Sequence, residues 1–199
     1  MEKILSIGGY DYKFKNVELH FSEKVFTDVF IEKNNKTLGE TIKVKRYKHL
    51  EQEVKKNYSE FLNMELGLFL ENLKRNKNDY YKKFLNTYGD SKYSIFFINN
   101  SDISMQKGIY IFCIGNDIKY IGRSKDPFKK RINNGYGHIS PKNCYLDGQS
   151  TNCHINSLIT KNKNNIKLFV LELDNEKKIE SLEKDFIKKY SPEWNITLK

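Results

Sequence analysis

The chain has 199 residues, with 35 lysines and arginines against 25 acids for a formal net charge of +10, and it is 38% hydrophobic and 14% aromatic with three prolines. That composition suits one large domain or two small ones and excludes a disordered tail; no run approaches the ~20 apolar residues of a membrane span, which excludes a membrane-embedded protein. The start Met1-Glu2-Lys3-Ile4-Leu5-Ser6 lacks a signal-peptide core, and Cys113, Cys144 and Cys153 form an odd set without a pairing pattern, so a reducing, cytoplasmic setting is expected.

Residues 1–40 alternate apolar and polar in short runs such as Val25-Phe26-Thr27-Asp28-Val29-Phe30-Ile31, bounded by Gly8-Gly9 and Asn34-Asn35, which predicts short strands. From Tyr47 the pattern changes: Leu50, Val54, Phe61, Leu62, Leu66, Phe69, Leu70 and Leu73 follow at helical spacing, predicting one long amphipathic helix to about Arg75. A second helix is expected from Asp79 to Tyr88, stopped by Gly89. Polar Asn99-Asn100-Ser101-Asp102 puts a domain boundary near residue 100, dividing the chain into 1–100 and 101–199.

Beyond it, Gly108–Ile114 and Ile118–Ile121 flank the turn-rich triplet Gly115-Asn116-Asp117, as in a β-hairpin. The hairpin carries two short runs, Gly108-Ile109-Tyr110 and Tyr120-Ile121-Gly122. Asp126-Pro127 then opens a helix in which Phe128, Arg131 and Ile132 share one face, turning Arg131 to the sheet and Lys129 and Lys130 away from it. An arginine on an apolar face requires a partner, either a structural carboxylate or a substrate phosphate. Between Lys119 and Lys142 seven basic residues (Lys119, Arg123, Lys125, Lys129, Lys130, Arg131, Lys142) stand against one acid, Asp126, a patch that attracts polyanions.

Ser150 or Thr151 caps a further helix to about Lys161, and the apolar run within Ile166–Leu173 reads as a central strand. The last helix, Asn175 to Tyr190, buries Ile179, Leu182, Phe186 and Ile187, with Glu183 in the middle of that face. A carboxylate there needs an arginine, a hydrogen-bond network or a metal ion.

The two tripeptides, Arg131, Glu183 and Asn195, in this order and at these distances, resemble a GIY-YIG nuclease domain over about residues 105–199. Three segments are similar to the branch of phage endonuclease II and small GIY-YIG restriction enzymes: 122–132, Gln149-Ser150-Thr151-Asn152 and Pro192-Glu193-Trp194-Asn195-Ile196. The resemblance implies an α+β fold, a small, mostly antiparallel three-stranded sheet flanked by helices; it leaves the first hundred residues unassigned, and these are read as an N-terminal mixed α/β extension for DNA recognition or dimerisation. It implies a Mg²⁺-dependent endonuclease on double-stranded DNA, with Mn²⁺ as the alternative ion and one ion per active site on Glu183. A type II restriction enzyme is the first reading; a phage or mobile-element nuclease would use the same residues, and a non-catalytic nucleic-acid-binding protein is the reading of another class.

In that scheme Tyr110 orients or deprotonates the water with Tyr120 beside it, Arg131 neutralises phosphoryl charge, and Asn195 braces the site. Arg123 and Lys125 contact the backbone or tune Tyr110. Many relatives carry a histidine one helical turn after the arginine; that place is Gly135 here, and Tyr136 and His138 just beyond are the stand-ins. Candidate DNA contacts are Lys129, Lys130 and Lys142, with Asn133, Asn134, Gln149, Ser150, Thr151 and Asn152 as base readers. One site per chain favours a homo-oligomer on a two-stranded substrate, and restriction implies a cognate DNA methyltransferase.

Overall fold

The structure is a computed structural model and describes residues 2–196, so the last three residues of the expected second domain lie outside the described residues. Gly8 and Gly9, at φ 56° and 80°, close the hairpin of β1 (Glu2–Ile7) on β2 (Tyr10–Val17). β3 (His20–Phe26) follows, and the strand character expected across residues 25–31 ends at Phe26; Asp28, at a φ of 58°, leads into a 3-10 turn at Val29–Glu32.

The long helix expected from Tyr47 to Arg75 is a broken series. After α1 (Leu38–Thr41) come a 3-10 segment at Lys45–Leu50, α2 (Glu51–Asn57), a 3-10 turn at Ser59–Phe61 and α3 (Leu66–Arg75). The chain leaves helical geometry at Tyr58 (φ −142°) and Glu65 (ψ 136°). Asn57, Ser59 and Asn63 sit at these breaks, and such residues compete with helix by bonding their own backbone. The helix expected over Asp79–Tyr88 is a 3-10 segment, Asp79–Phe84. Then come β4 (Tyr93–Phe97), α4 (Ser101–Ser104), β5 (Gly108–Ile114), β6 (Asp117–Ser124), a π-helical turn at Lys130–Tyr136, α5 (Ser150–Lys161), β7 (Ile166–Glu172) and α6 (Glu176–Tyr190).

The main sheet has the order β1-β2-β7-β5-β6, antiparallel throughout, and β3 pairs with β4 in a second, two-stranded sheet. The antiparallel α+β expectation holds, but the sheet has five strands rather than three. The extra two are the N-terminal hairpin, which joins β7 through Lys15, Asn16 and Val17 opposite Val170, Phe169 and Leu168. β7 is central, as its apolar run predicts.

The division of the chain also differs from a cut near residue 100. One compact unit gathers residues 2–24, 94–138 and 158–196, and the other gathers Val25–Tyr93 with Ile139–Ser157. The physical reason is hydrogen bonding and burial by the 139–157 segment within the second unit. The Asn86 amide donates to the carbonyls of Asn143 and Tyr145 at 2.7 and 3.2 Å, and the buried Tyr145 hydroxyl donates to the Phe30 carbonyl at 2.8 Å.

In the first unit Ile179, Leu182, Phe186 and Ile187 of α6 pack on Ile109, Ile111 and Cys113 of β5, with Leu5 and Phe14 from the hairpin. The alternate residues Tyr110 and Phe112 face the other side, where they meet Tyr136, with Phe128 against Tyr110 and Tyr120 against both. Among the described residues no helix is long and apolar enough to cross a membrane.

Candidate active site

The pairing of β5 with β6 sets Tyr110 opposite Gly122 and Phe112 opposite Tyr120. A Cβ at Gly122 would fall on the Tyr110 phenol, so the glycine of the second tripeptide is what allows the tyrosine of the first to lie across β6. Gly108 answers a different need. Its φ is 145°, and a Cβ there would collide with the Leu171 carbonyl oxygen of β7.

Beyond Pro127 the helix buries Phe128 and Ile132 and turns Arg131 towards the sheet, as the spacing predicts. Across Lys130–Tyr136 it winds as a π-helix, which adds about one residue per turn. Tyr136, five residues after Arg131, thereby takes the place on the arginine's face that an α-helix would give to Gly135. The Arg131 guanidinium carbon lies 4.7 Å from the Tyr136 ring centroid, and its Nε donates to Tyr110 Oη at 3.2 Å. Tyr136 Oη is in turn 2.9 Å from Tyr110 Oη and 3.1 Å from Tyr120 Oη. Three phenols thus form a row with Tyr136 at its centre.

Tyr110 and Tyr136 have no exposed surface, while Tyr120 is 8% exposed, so solvent meets the row at Tyr120. Burial pushes the Tyr110 phenol well above the ordinary tyrosine range, Tyr120 adds to the shift, and Arg131 opposes it. Burial and the two neighbouring phenols do the same at Tyr136, again against Arg131. Burial works against the charge of Arg131, but Tyr110 and Tyr136 outweigh it, and the guanidinium is held protonated.

Glu183 projects from α6 with its side chain 12% exposed, and Arg123 Nη1 donates to its Oε2 at 2.8 Å. Burial raises its carboxyl above the usual range, with Arg123 and then Arg131 pulling the other way. Arg123 is therefore the carboxylate's partner, and the charge of Arg131 is felt at the same group. One and two turns earlier on α6, Glu180 lies 2.5 Å from Lys125 and 3.9 Å from Arg123, and Glu176 lies 3.8 Å from both Lys125 and Lys107. This acidic row is absent from the sequence expectations, although the spacing of Glu176, Glu180 and Glu183 by four and three residues on one helix is a legible signal.

Asn195 acts as a one-residue extension of the sheet. Its Oδ1 accepts from the Ile121 N–H at 3.0 Å and its Nδ2 donates to the Ile121 carbonyl at 2.8 Å, closing the open edge of β6 in the middle of the second tripeptide.

The candidate DNA contacts scatter. Lys129, Lys130, Asn134 and His138 are exposed in the first unit, and Lys130 pairs with Asp126 at 3.1 Å. His138 lies outside the phenol row. Asn133 binds the Ile98 N–H and carbonyl at 2.9 and 3.2 Å, so its amide is not presented to a base. Lys142, Gln149, Ser150, Thr151 and Asn152 belong to the second unit; all are exposed but Asn152, which is buried and donates to Gln149 Oε1 at 2.7 Å.

Two glycines required by close approach, phenols on a hairpin, an arginine on the next helix and the buried Glu183 carboxylate on the last make up one candidate site. Residues 106–196, somewhat under half of the chain, match the model of the GIY-YIG catalytic domain family. Over 97 residues, 49% of this chain, the sequence is 36% identical to UvrABC system protein C of Fervidobacterium nodosum. The alignment covers 14% of that protein, so the chain spans a small part of the relative's length. No solved structure matches the chain.

Proposed function

We propose that the protein is a divalent-metal-dependent endonuclease that hydrolyses phosphodiester bonds in double-stranded DNA. One observation carries the reading: β5, β6, the π-helical turn and α6 each contribute a side chain to one set, a phenol row held by Arg131 with the Glu183 carboxylate under the influence of the same arginine. A nucleic-acid-binding protein without chemistry has no use for a buried carboxylate where phosphates arrive.

The hydrogen bonds support a division of labour among the phenols. Arg131 donates into Tyr110, while either oxygen can donate in the Tyr110–Tyr136 and Tyr136–Tyr120 contacts; we take the polarity that runs from Tyr110 through Tyr136 to Tyr120. Tyr120 then directs its O–H outward, towards an attacking water or a phosphate oxygen. At neutral pH the buried phenols stay protonated, so the row aims the water rather than taking its proton. Arg131 offsets charge developing on the non-bridging oxygens.

Glu183 fits a hard divalent cation: it is a largely buried oxygen donor whose carboxyl burial raises above the usual range, and a bound cation would join Arg123 and Arg131 in favouring the ionised form. Mg²⁺ takes one or two carboxylates and keeps several waters, which suits one acid; among the described residues no group of three or more His, Cys, Asp or Glu stands ready for a larger cluster. When bound, the ion would supply positive charge to the leaving oxygen. Mn²⁺ meets the same donor chemistry.

Within this chemistry a type II restriction enzyme is our first choice, working as a homo-oligomer because one site per chain leaves the opposite strand to a second copy, and alongside a DNA methyltransferase acting on the same site. Incubation with plasmid DNA and Mg²⁺ tests the reading. Discrete fragments are the restriction outcome, a smear indicates a degradative phage-type enzyme, and intact DNA under every metal condition contradicts the nuclease assignment.

A further inference from the structure

We propose that the second unit carries its own phosphate-binding pocket, in which Lys33, Lys36 and Lys142 hold one phosphodiester of the DNA backbone; this rests on the DNA-nuclease reading above. The pocket is a cavity of about 110 Å³ lined by these three lysines together with Asn35, Thr41 and Asp147. That volume equals the share of three to four waters, room for one oxyanion. Lys33, Asn35 and Lys36 come from the loop before α1, whereas Lys142 arrives more than a hundred residues later on the 139–157 segment of the same unit. Folding, not sequence proximity, brings the cations together.

The charges in the pocket do not balance. Asp147 is its only acidic lining residue, and its Oδ1 accepts from the Tyr47 hydroxyl at 2.5 Å while lying 3.9 Å from Lys33 Nζ. The Lys33 side chain is 12% exposed, and its ammonium stands 4.2 Å over the Tyr145 ring. Lys36 and Lys142 make no ion pair within 4.0 Å among the described residues. Burial holds the Lys33 ammonium below the ordinary lysine value against the pull of Asp147, and Lys142 and Lys36 lower it further. Gathering like charges in this way costs stability, and a bound oxyanion offsets that cost.

The surroundings favour a diester in a chain over a free oxyanion. A wider hollow of about 450 Å³ shares Lys33, Asn35 and Lys142 with the pocket and continues past Glu32, Ser140 and Pro141. A phosphodiester needs such a way out for the sugars on either side, which a closed oxyanion site does not. Lysine at a DNA phosphate also acts without base selectivity, so the pocket would add affinity and register rather than sequence choice.

The test is duplex binding by the full chain in EDTA, followed by fluorescence anisotropy across a salt series. Lys36→Gln/Lys142→Gln is compared with a control of equal charge change in the same unit, Lys45→Gln/Lys56→Gln, and with Lys142→Gln alone should the double variant fail to fold. Loss of one phosphate contact lowers the slope of log K against log salt by about 0.9, equivalent to roughly tenfold weaker binding at about 50 mM salt. We expect that change in the pocket variants and not in the control. Equal slopes in all variants, with wild-type binding and cleavage intact, would overturn this inference alone. Wild type that neither binds nor cuts DNA overturns the nuclease reading and this inference with it. Titration with inorganic phosphate separates the two sources of oxyanion: phosphate binding that the pocket variants lose, with the DNA slope unchanged, overturns the assignment to DNA.

Discussion

Tyr136 stands between Tyr110 and Tyr120 and under the Arg131 guanidinium, so its hydroxyl connects the arginine-held phenol to the one that reaches solvent. Tyr120→Phe removes the outward O–H, and Tyr136→Phe cuts the row behind it. Each is expected to lower the single-turnover cleavage rate by about 10²-fold or more without abolishing DNA binding. Tyr120→Phe cleaving at the wild-type rate would rule out the row as the water-aiming element. Because Tyr110 and Tyr136 lie above the ordinary tyrosine range, these two phenols should contribute no ionisation to the rate between pH 7 and about 9. The sign for stability follows from the same direction. Tyr110 and Tyr136 have raised values in the folded state, so their contribution is complete below the unfolded value of about 10 and declines as pH rises beyond it. Thermal unfolding followed from pH 8 to pH 11 should show a midpoint that falls at the alkaline end, and less steeply in Tyr136→Phe.

At the scale of elements, the close contacts of the β5–β6 hairpin are specified by its glycines, and its open edge is closed by Asn195. Gly122→Ala drives a methyl group into the Tyr110 phenol, and overpacking of this kind costs about 1–3 kcal/mol. Asn195→Ala leaves the Ile121 N–H and carbonyl unpaired at a buried edge, at a cost of about 1–3 kcal/mol. Denaturant melts of both variants check these figures, and a Gly122→Ala protein as stable as wild type would contradict the close approach. Much of this element was legible: the turn at Gly115, the two-residue period that puts Tyr110 and Phe112 on one face, and the helix entry at Asp126-Pro127 all follow from local chemistry. The π-helical turn was not. Residues 130–136 carry the same apolar spacing for either winding, and only the bonds to Tyr110 and Tyr120 favour the arrangement that brings Tyr136 rather than Gly135 beside Arg131. The continuous helix to Arg75 failed for a related reason, since apolar spacing reports which residues face a core but not whether the backbone between them stays helical.

For the whole molecule, the segment matched as the catalytic domain is divided between the units: residues 106–138 and 158–196 fold with the N-terminal strands in one, and residues 139–157 fold with residues 25–93 in the other. Such long-range choices, β2 beside β7 and residues 139–157 with residues 25–93, depend on register and packing partners that no local pattern encodes. The net charge of +10 is spread over both units, so DNA binding should weaken steeply with salt. The central claim is hydrolysis at the phenol, arginine and carboxylate set, and cleavage of supercoiled plasmid by wild type and Glu183→Gln, each with Mg²⁺ and with EDTA, tests it most directly. Wild type should cut in Mg²⁺ and stop in EDTA, while Glu183→Gln binds DNA and does not cut. A Glu183→Gln protein that cuts as fast as wild type, or a wild type that binds DNA and leaves it intact in both Mg²⁺ and Mn²⁺, would contradict the account.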